Sequence, residues 1–243
     1  RFGVGSDGLI LLLPSDRADV KMRMWNADGS ESEMCGNGIR CVAKLAYERG
    51  LVRKARRLTA ETGAGVLTLD LDVRDDRVEA VTVDLGAPRL ERAEIPMAGA
   101  PGRVVDEPIV AGDATWRATC LSMGNPHCVI YVDDVAAFPV ERYGPLLERH
   151  AAFPRRTNVE FVQVVGRGEV IQRTWERGAG ETFACGTGAA AVCAAGVLTG
   201  RTDRDLRVHL RGGDLRLRWD AGGHVFKTGP AVVVFEGEWP VVP

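Results

Sequence analysis

The sequence carries no excess charge of either sign: 31 Lys and Arg stand against 33 Asp and Glu, a formal net charge of −2. Without a basic surplus there is no electrostatic footprint for nucleic acid or an anionic membrane surface. No apolar run approaches the roughly 20 residues that a membrane-spanning helix needs. No CxxC pair occurs, and the four histidines (His127, His150, His209, His224) do not cluster with cysteines at ligand spacing, so no metal site is expected. There is no initiator Met, and no charged stretch leads into an apolar segment with a small-residue cleavage site, so no secretory signal is expected. Residues 4–14 (VGSDGLILLLP) instead read at once as a buried strand after a turn, so Arg1 is expected to fall inside a domain and an N-terminal piece is expected to be missing. What is present is an ordinary globular composition, 45% hydrophobic and 26% charged over 243 residues, enough for one large domain or two small ones. Glycine is frequent at 29, a sign of tight turns and close backbone approaches. Six cysteines could form three disulfides, but in a long chain with a good core composition and no secretory segment they are expected as reduced thiols in the cytosol.

The chain repeats itself. At an offset of 150, with no gaps, Trp25 aligns with Trp175, Glu31 with Glu181, Cys35 with Cys185, Gly36 with Gly186, Gly38 with Gly188 and Gly50 with Gly200. Residues 65–71 and 213–219 agree more loosely, both alternating apolar and polar positions as half-buried strands do. Residues 9–13 and 158–165 are strand-like runs preceding the two Trp segments. A period near 150 is too long for a solenoid and implies two homologous domains, each with strands around one helix. The helices are expected over residues 39–49 and 189–199, ending at Gly50 and Gly200; the second is apolar on all sides and should be buried. Residues 87–116, rich in proline and glycine, read as the connection between halves, with one strand. The division expected is an N-terminal half over 1–86, a C-terminal half over 87–230, and a tail over 231–243 packing with the first half.

A CGxG segment at a helix N-terminus puts a cysteine before unpaired N–H groups and the positive end of the helix dipole. Both favour thiolate, so the ordinary thiol pKa of about 8.5 should fall. The same N–H groups suit a carboxylate or phosphate. Two such elements facing each other could bind one carboxylate and set a sulfur on each face of the adjacent carbon. Thiolate and thiol then form a base–acid pair for inverting a carbon that bears a proton, with the dipoles and exclusion of water assisting the carbanionic transition state. The plainer readings are that a lone buried cysteine is a small hydrophobe, which is expected for Cys41, Cys120, Cys128 and Cys193, or that Cys35 and Cys185 form a disulfide joining the halves.

Four segments, NADGSESEMCGNGIRC (26–41), SMGNPHCV (122–129), RTNVEFV (156–162) and ERGAGETFACGTGAAA (176–191), closely resemble the diaminopimelate epimerase family, and the resemblance runs from Phe2 to near the C-terminus. It implies an α/β (α+β) fold of two pseudo-symmetric domains, strands wrapped around a central helix in each, with the active site in the cleft between them. It implies an isomerase working without metal, pyridoxal phosphate or any other cofactor, interconverting LL- and meso-diaminopimelate on the bacterial route to lysine and peptidoglycan. By motif, Cys35 and Cys185 are the acid/base cysteines, and Gly36, Asn37, Gly186 and Thr187 hold the reacting carboxylate through backbone N–H groups. Asn26, Asn125, Asn158 and Arg177 match polar substrate contacts, Glu176 suits an ammonium group, and His127 and Glu176 match positions that tune the cysteines. Taken alone, Asn26 and Asn158 would read as turn or cap residues and His127 as a structural histidine. Two departures stand out: the family's substrate-contacting Asn lies in an N-terminal segment that precedes the start of this chain, and Gly8 stands where many members carry Gln. The rival reading is another cysteine-pair amino-acid racemase, such as a proline racemase relative; those typically carry His where this chain has Asn37. The expected partner is the small-molecule substrate, with neither nucleic acid nor membrane, and a homodimer is compatible with the sequence.

Overall fold

The computed structural model describes Ser6 and residues 8–238; Val4, Gly5 and Asp7 of the expected first strand and residues 239–243 of the expected tail lie outside the described residues. The chain divides into two units: unit 1 runs to Thr82 and resumes at Gly229, and unit 2 is Val83–Thr228. Each is a mixed sheet with few helices, an α+β arrangement.

Unit 1 contains β1 (Gly8–Leu13), β2 (Val20–Asn26), β3 (Glu31–Ser32), α1 (Gly38–Glu48), β4 (Arg57–Thr62), β5 (Gly65–Arg74) and β6 (Arg77–Asp84, whose last two residues already belong to unit 2). The sheet order is β1-β2-β4-β5-β6. Neighbours are antiparallel in β1–β2 and β4–β5, while β2 and β4 run parallel and need the crossover that α1 supplies. Apolar positions of α1 recur at helical spacing, so Ile39, Val42, Ala43, Ala46 and Tyr47 are buried on one face. Cys41 falls on the other face and is exposed, not the core hydrophobe expected.

Unit 2 contains β7 (Val104–Ala111), β8 (Ala114–Ser122), β9 (Pro126–Tyr131), α2 (Val140–Glu148), β10 (Asn158–Gly166), β11 (Glu169–Glu176), β12 (Gly180–Thr182), α3 (Gly186–Leu198), β13 (Asp205–Leu210), β14 (Gly213–Trp219) and β15 (Val225–Gly229, whose last residue returns to unit 1). The order is β15-β14-β13-β11-β10-β9-β8-β7. Residues 87–116 hold the expected strand, β7, and also the start of β8. Pro108 is accommodated because β7 is the end strand, where a missing N–H need not break a ladder.

The repeat is built the same way twice. Leu9 pairs with Trp25 and Val159 with Trp175; Trp25 pairs with Glu31 and Trp175 with Glu181. In each half an arginine two residues before the tryptophan clamps that glutamate bidentately, Arg23 to Glu31 at 2.8 and 2.9 Å and Arg173 to Glu181 at 2.7 and 2.9 Å. The helices end as expected: Gly50 and Gly200 adopt φ of +67° and +70° just past the caps. The second helix begins earlier than expected, at Gly186, because Cys185 itself caps it. Residues Ala189, Ala190, Ala191, Val192, Cys193, Ala194 and Ala195 of α3 are fully buried, packed against Leu121, Val129, Val162, Val208 and Leu217 of the sheet. Short side chains let strands approach this helix on several sides, and its own backbone bonds satisfy its polar groups.

A second cluster packs α2 on β7–β11 through Trp116, Phe138, Tyr143 and Phe161. There a Cβ on Gly144 would lie 2.6 Å from two ring atoms of Trp175, a contact that a rigid indole cannot relieve. Gly144→Ala is expected to lower stability by about 1–3 kcal/mol, read as the change in chemical-denaturation midpoint.

His209 on β13 bridges two neighbouring strands, Nε2 to Glu169 at 2.7 Å and Nδ1 to Asp214 at 2.8 Å. The two carboxylates hold its pKa above the ordinary value. Its stabilisation is thus fully present below about pH 6.5 and is lost as pH rises through the raised folded-state value. All three side chains are well solvated, so the effect should stay below about 1 kcal/mol. The wild-type stability advantage over His209→Gln is expected at pH 6 and should shrink towards pH 9; an advantage independent of pH would contradict the pairing.

Candidate active site

In unit 1, Cys35 is half-buried in the loop between β3 and α1, and its Sγ accepts the Gly38 N–H at 3.3 Å. Its carbonyl takes the Ile39 N–H at 2.9 Å. Gly36 and Asn37 form the turn into the helix, and both are gripped by Arg40, whose Nη1 donates to Gly36 O at 3.1 Å and to Asn37 Oδ1 at 3.0 Å. Arg40 Nε donates to Pro230 O at 3.1 Å, tying the turn to the returning chain. A cation near a helix N-terminus opposes the dipole, so this buried arginine is there for the carbonyl and amide oxygens it holds. Asn26 ends β2, and its side-chain amide donates to Ser30 Oγ at 3.0 Å while its carbonyl accepts from Gly29, a turn-forming arrangement.

In unit 2 the same local structure recurs. Cys185 caps α3, and its Sγ accepts the Gly188 N–H at 3.4 Å with Thr187 Oγ1 3.5 Å away. The first N–H groups of a helix have no intrahelical acceptor, so Gly186 and Thr187 present donors beside the sulfur. A Cβ on Gly186 would meet Nζ of the fully buried Lys227, so the glycine lets this side chain pass close to the helix start. Cys185 is buried, and burial together with the Glu176 and Glu160 carboxylates pushes its thiol up to about 12. The expected downward shift is therefore overturned at Cys185: two anions and desolvation outweigh one backbone N–H and a hydroxyl.

Of the other expected residues of unit 2, Glu176 acts on Cys185 directly and His127 contacts Glu160, the second carboxylate that does so. His127 on β9 is fully buried, with Nε2 3.0 Å from Asn125 Oδ1 and Nδ1 2.8 Å from Glu160 Oε1. Asn158, opposite His127 on β10, is a tie between loops: Nδ2 donates to Pro126 O at 3.0 Å and Oδ1 accepts the Arg177 N–H at 2.9 Å. Glu176 ends β11 and accepts from Thr182 Oγ1 at 2.5 Å. Arg177 is exposed, with Nη1 donating to Arg155 O at 3.1 Å.

Two further carboxylates belong to this region and escaped sequence reasoning. Glu148, 2% exposed at the end of α2, accepts from Trp175 Nε1 at 2.9 Å and Gly178 N at 3.1 Å, holding the turn that carries Arg177. Nothing in the sequence separates it from a surface glutamate. Glu160 did leave a signal: it lies two residues after Asn158, on the same strand face, inside an otherwise apolar run. Among the described residues no group of three or more His, Cys, Asp or Glu is arranged to hold a metal ion, and no helix is long and apolar enough to cross a membrane.

The profile of a family described as diaminopimelate epimerase matches residues 1–91 and 119–234. A diaminopimelate epimerase of Pelotomaculum thermopropionicum is 61% identical over 239 residues, 98% of this chain and 85% of that protein. One of Moorella thermoacetica is 57% identical over 242 residues, 99% of this chain and 86% of that protein. Among solved structures, a Bacillus anthracis phenazine biosynthesis protein of the PhzF family shares the fold, with a TM-score of 0.69 at 21% identity over 98% of this chain and 86% of that one.

Proposed function

The chain belongs to the diaminopimelate epimerase family, a family of isomerases, and from that premise we propose that it inverts the α-carbon of LL-diaminopimelate to give the meso form by a two-cysteine mechanism. One of Cys35 and Cys185, as thiolate, removes the α-proton; the other, as thiol, returns a proton to the opposite face; the reverse reaction exchanges the roles. Backbone N–H groups of Gly36, Asn37, Gly186 and Thr187 bind the reacting carboxylate and stabilise the charge that develops beside it. Arg177 takes the distal carboxylate, Glu176 an ammonium, and Asn26, Asn125 and Asn158 complete the polar contacts. His127 and Glu176 set the protonation of the cysteines. No cofactor enters these steps. The observation that carries this reading is the twin placement: each cysteine stands three residues before a glycine whose N–H it accepts at the start of a helix. The reading places the enzyme in the cytoplasm, acting on a small molecule in lysine and peptidoglycan precursor synthesis.

Incubation with LL-diaminopimelate, proline and glutamate in deuterated buffer tests the substrate. Deuterium should enter the α-position of diaminopimelate alone. Faster incorporation into proline would shift the reading to a proline racemase relative.

A further inference from the structure

Glu160 is wholly buried in β10, and the chemistry above gives it no task. Burying a carboxylate is strongly unfavourable unless partners compensate, and here compensation is one-sided: Oε1 meets His127 Nδ1 at 2.8 Å, while Oε2 has no hydrogen-bond partner among the described residues. The point where Gly188 would carry a Cβ lies 2.6 Å from Glu160 Oε1 and 3.3 Å from Cys185 Sγ. Carboxylate and sulfur thus flank one glycine, with no side chain between them. The His127 ring also reaches Asn125 Oδ1 through Nε2 at 3.0 Å, which completes a chain of polar contacts from Glu160 to Asn125.

We infer that Glu160 is a positioning residue for Cys185: the Glu160–His127–Asn125 chain holds a carboxylate against the sulfur and so keeps the proton on Cys185 until substrate arrives, making this cysteine the acid of the resting enzyme. The inference rests on the two-cysteine reading above. No proton passes between Glu160 and Cys185. In the forward step the S–H bond of Cys185 breaks as the C–H bond forms, while Cys35 holds the proton taken from the substrate; after release of product Cys35 gives its proton to solvent and Cys185 takes one back, which restores the resting enzyme.

The other groups facing this pair are few. Glu176 from β11 acts on the sulfur in the same sense as Glu160. The Lys227 ammonium, from β15, stands by Gly186 and opposes it. Cys128 on β9, itself against Cys120 on β8, lies near Glu160. The helix α3 brings no charged side chain.

The test is the pH dependence of iodoacetamide alkylation at Cys185, mapped by mass spectrometry on the full chain, alongside the pH profile of kcat/KM. Glu160→Gln should lower the apparent titration of Cys185 by about one pH unit or more and move the basic limb of kcat/KM the same way. Glu160→Asp keeps the charge and should leave the titration near wild type while kcat falls. An unmoved titration in Glu160→Gln, or an equal shift in both variants, overturns the inference. If Glu160→Gln does not fold, the wild type still decides: Cys185 titrating at or below the ordinary thiol value of about 8.5 overturns it. Turnover surviving Cys185→Ala would instead overturn the two-cysteine reading, whichever way the titrations fall.

Discussion

Cys35→Ala and Cys185→Ala are each expected to lower kcat/KM for diaminopimelate by at least about 10³-fold, with circular dichroism unchanged. Positioned general acids and bases contribute on this scale, and here each sulfur serves both roles across the two directions. The loss should be nearly as large in either single variant as in the double, because a proton removed from one face is useless unless another is returned to the opposite face. Stability should respond differently at the two sites. Cys185 is buried beside fully packed α3, so its truncation leaves a small void; Cys35 is half-buried and its truncation should be milder. Substantial turnover in either variant would contradict the two-cysteine reading.

Arg177→Ala is expected to reduce kcat/KM by about 10²-fold, chiefly through KM, as loss of a charge-assisted anchor for the distal carboxylate. The turn bearing Arg177 is held independently of its guanidinium, by Asn158 on its N–H and Glu148 on the next one. Because the side chain is exposed, stability should move by less than about 0.5 kcal/mol. Arg177→Lys should recover only part of the affinity, since an ammonium cannot reproduce a planar fork. An unchanged KM in Arg177→Ala would remove this residue from the substrate contacts.

The duplication was legible because its identities are demanding ones. A tryptophan, a cysteine and glycines in one register report backbone geometry, and the structure uses them for paired strands, a cap and helix ends. The same register also repeats the Arg23–Glu31 and Arg173–Glu181 clamps, since the two arginines too stand 150 residues apart. The helix α3 starts at Gly186 rather than at the expected residue 189 because the buried surroundings and the cysteine cap carry it through Gly-Thr-Gly. Cys41 was misplaced because the identity of a cysteine does not say which face of α1 it occupies. Burial decided the rest: Glu148 looks like an ordinary surface glutamate in one dimension, and only the strands and loops around it make it a buried acceptor, whereas Glu160 is marked by its place in a largely apolar strand. Burial also reversed the expectation at Cys185, since a helix N-terminus favours a thiolate but two neighbouring carboxylates disfavour it more.

The central claim, two sulfurs acting on opposite faces of one carbon, is tested most directly in deuterium oxide at early conversion of LL-diaminopimelate. The account predicts that meso product carries solvent deuterium at the inverted carbon while unconverted LL substrate remains protiated. Deuterium appearing as fast in recovered LL substrate as in product would mean that a single group serves both faces, and would contradict it.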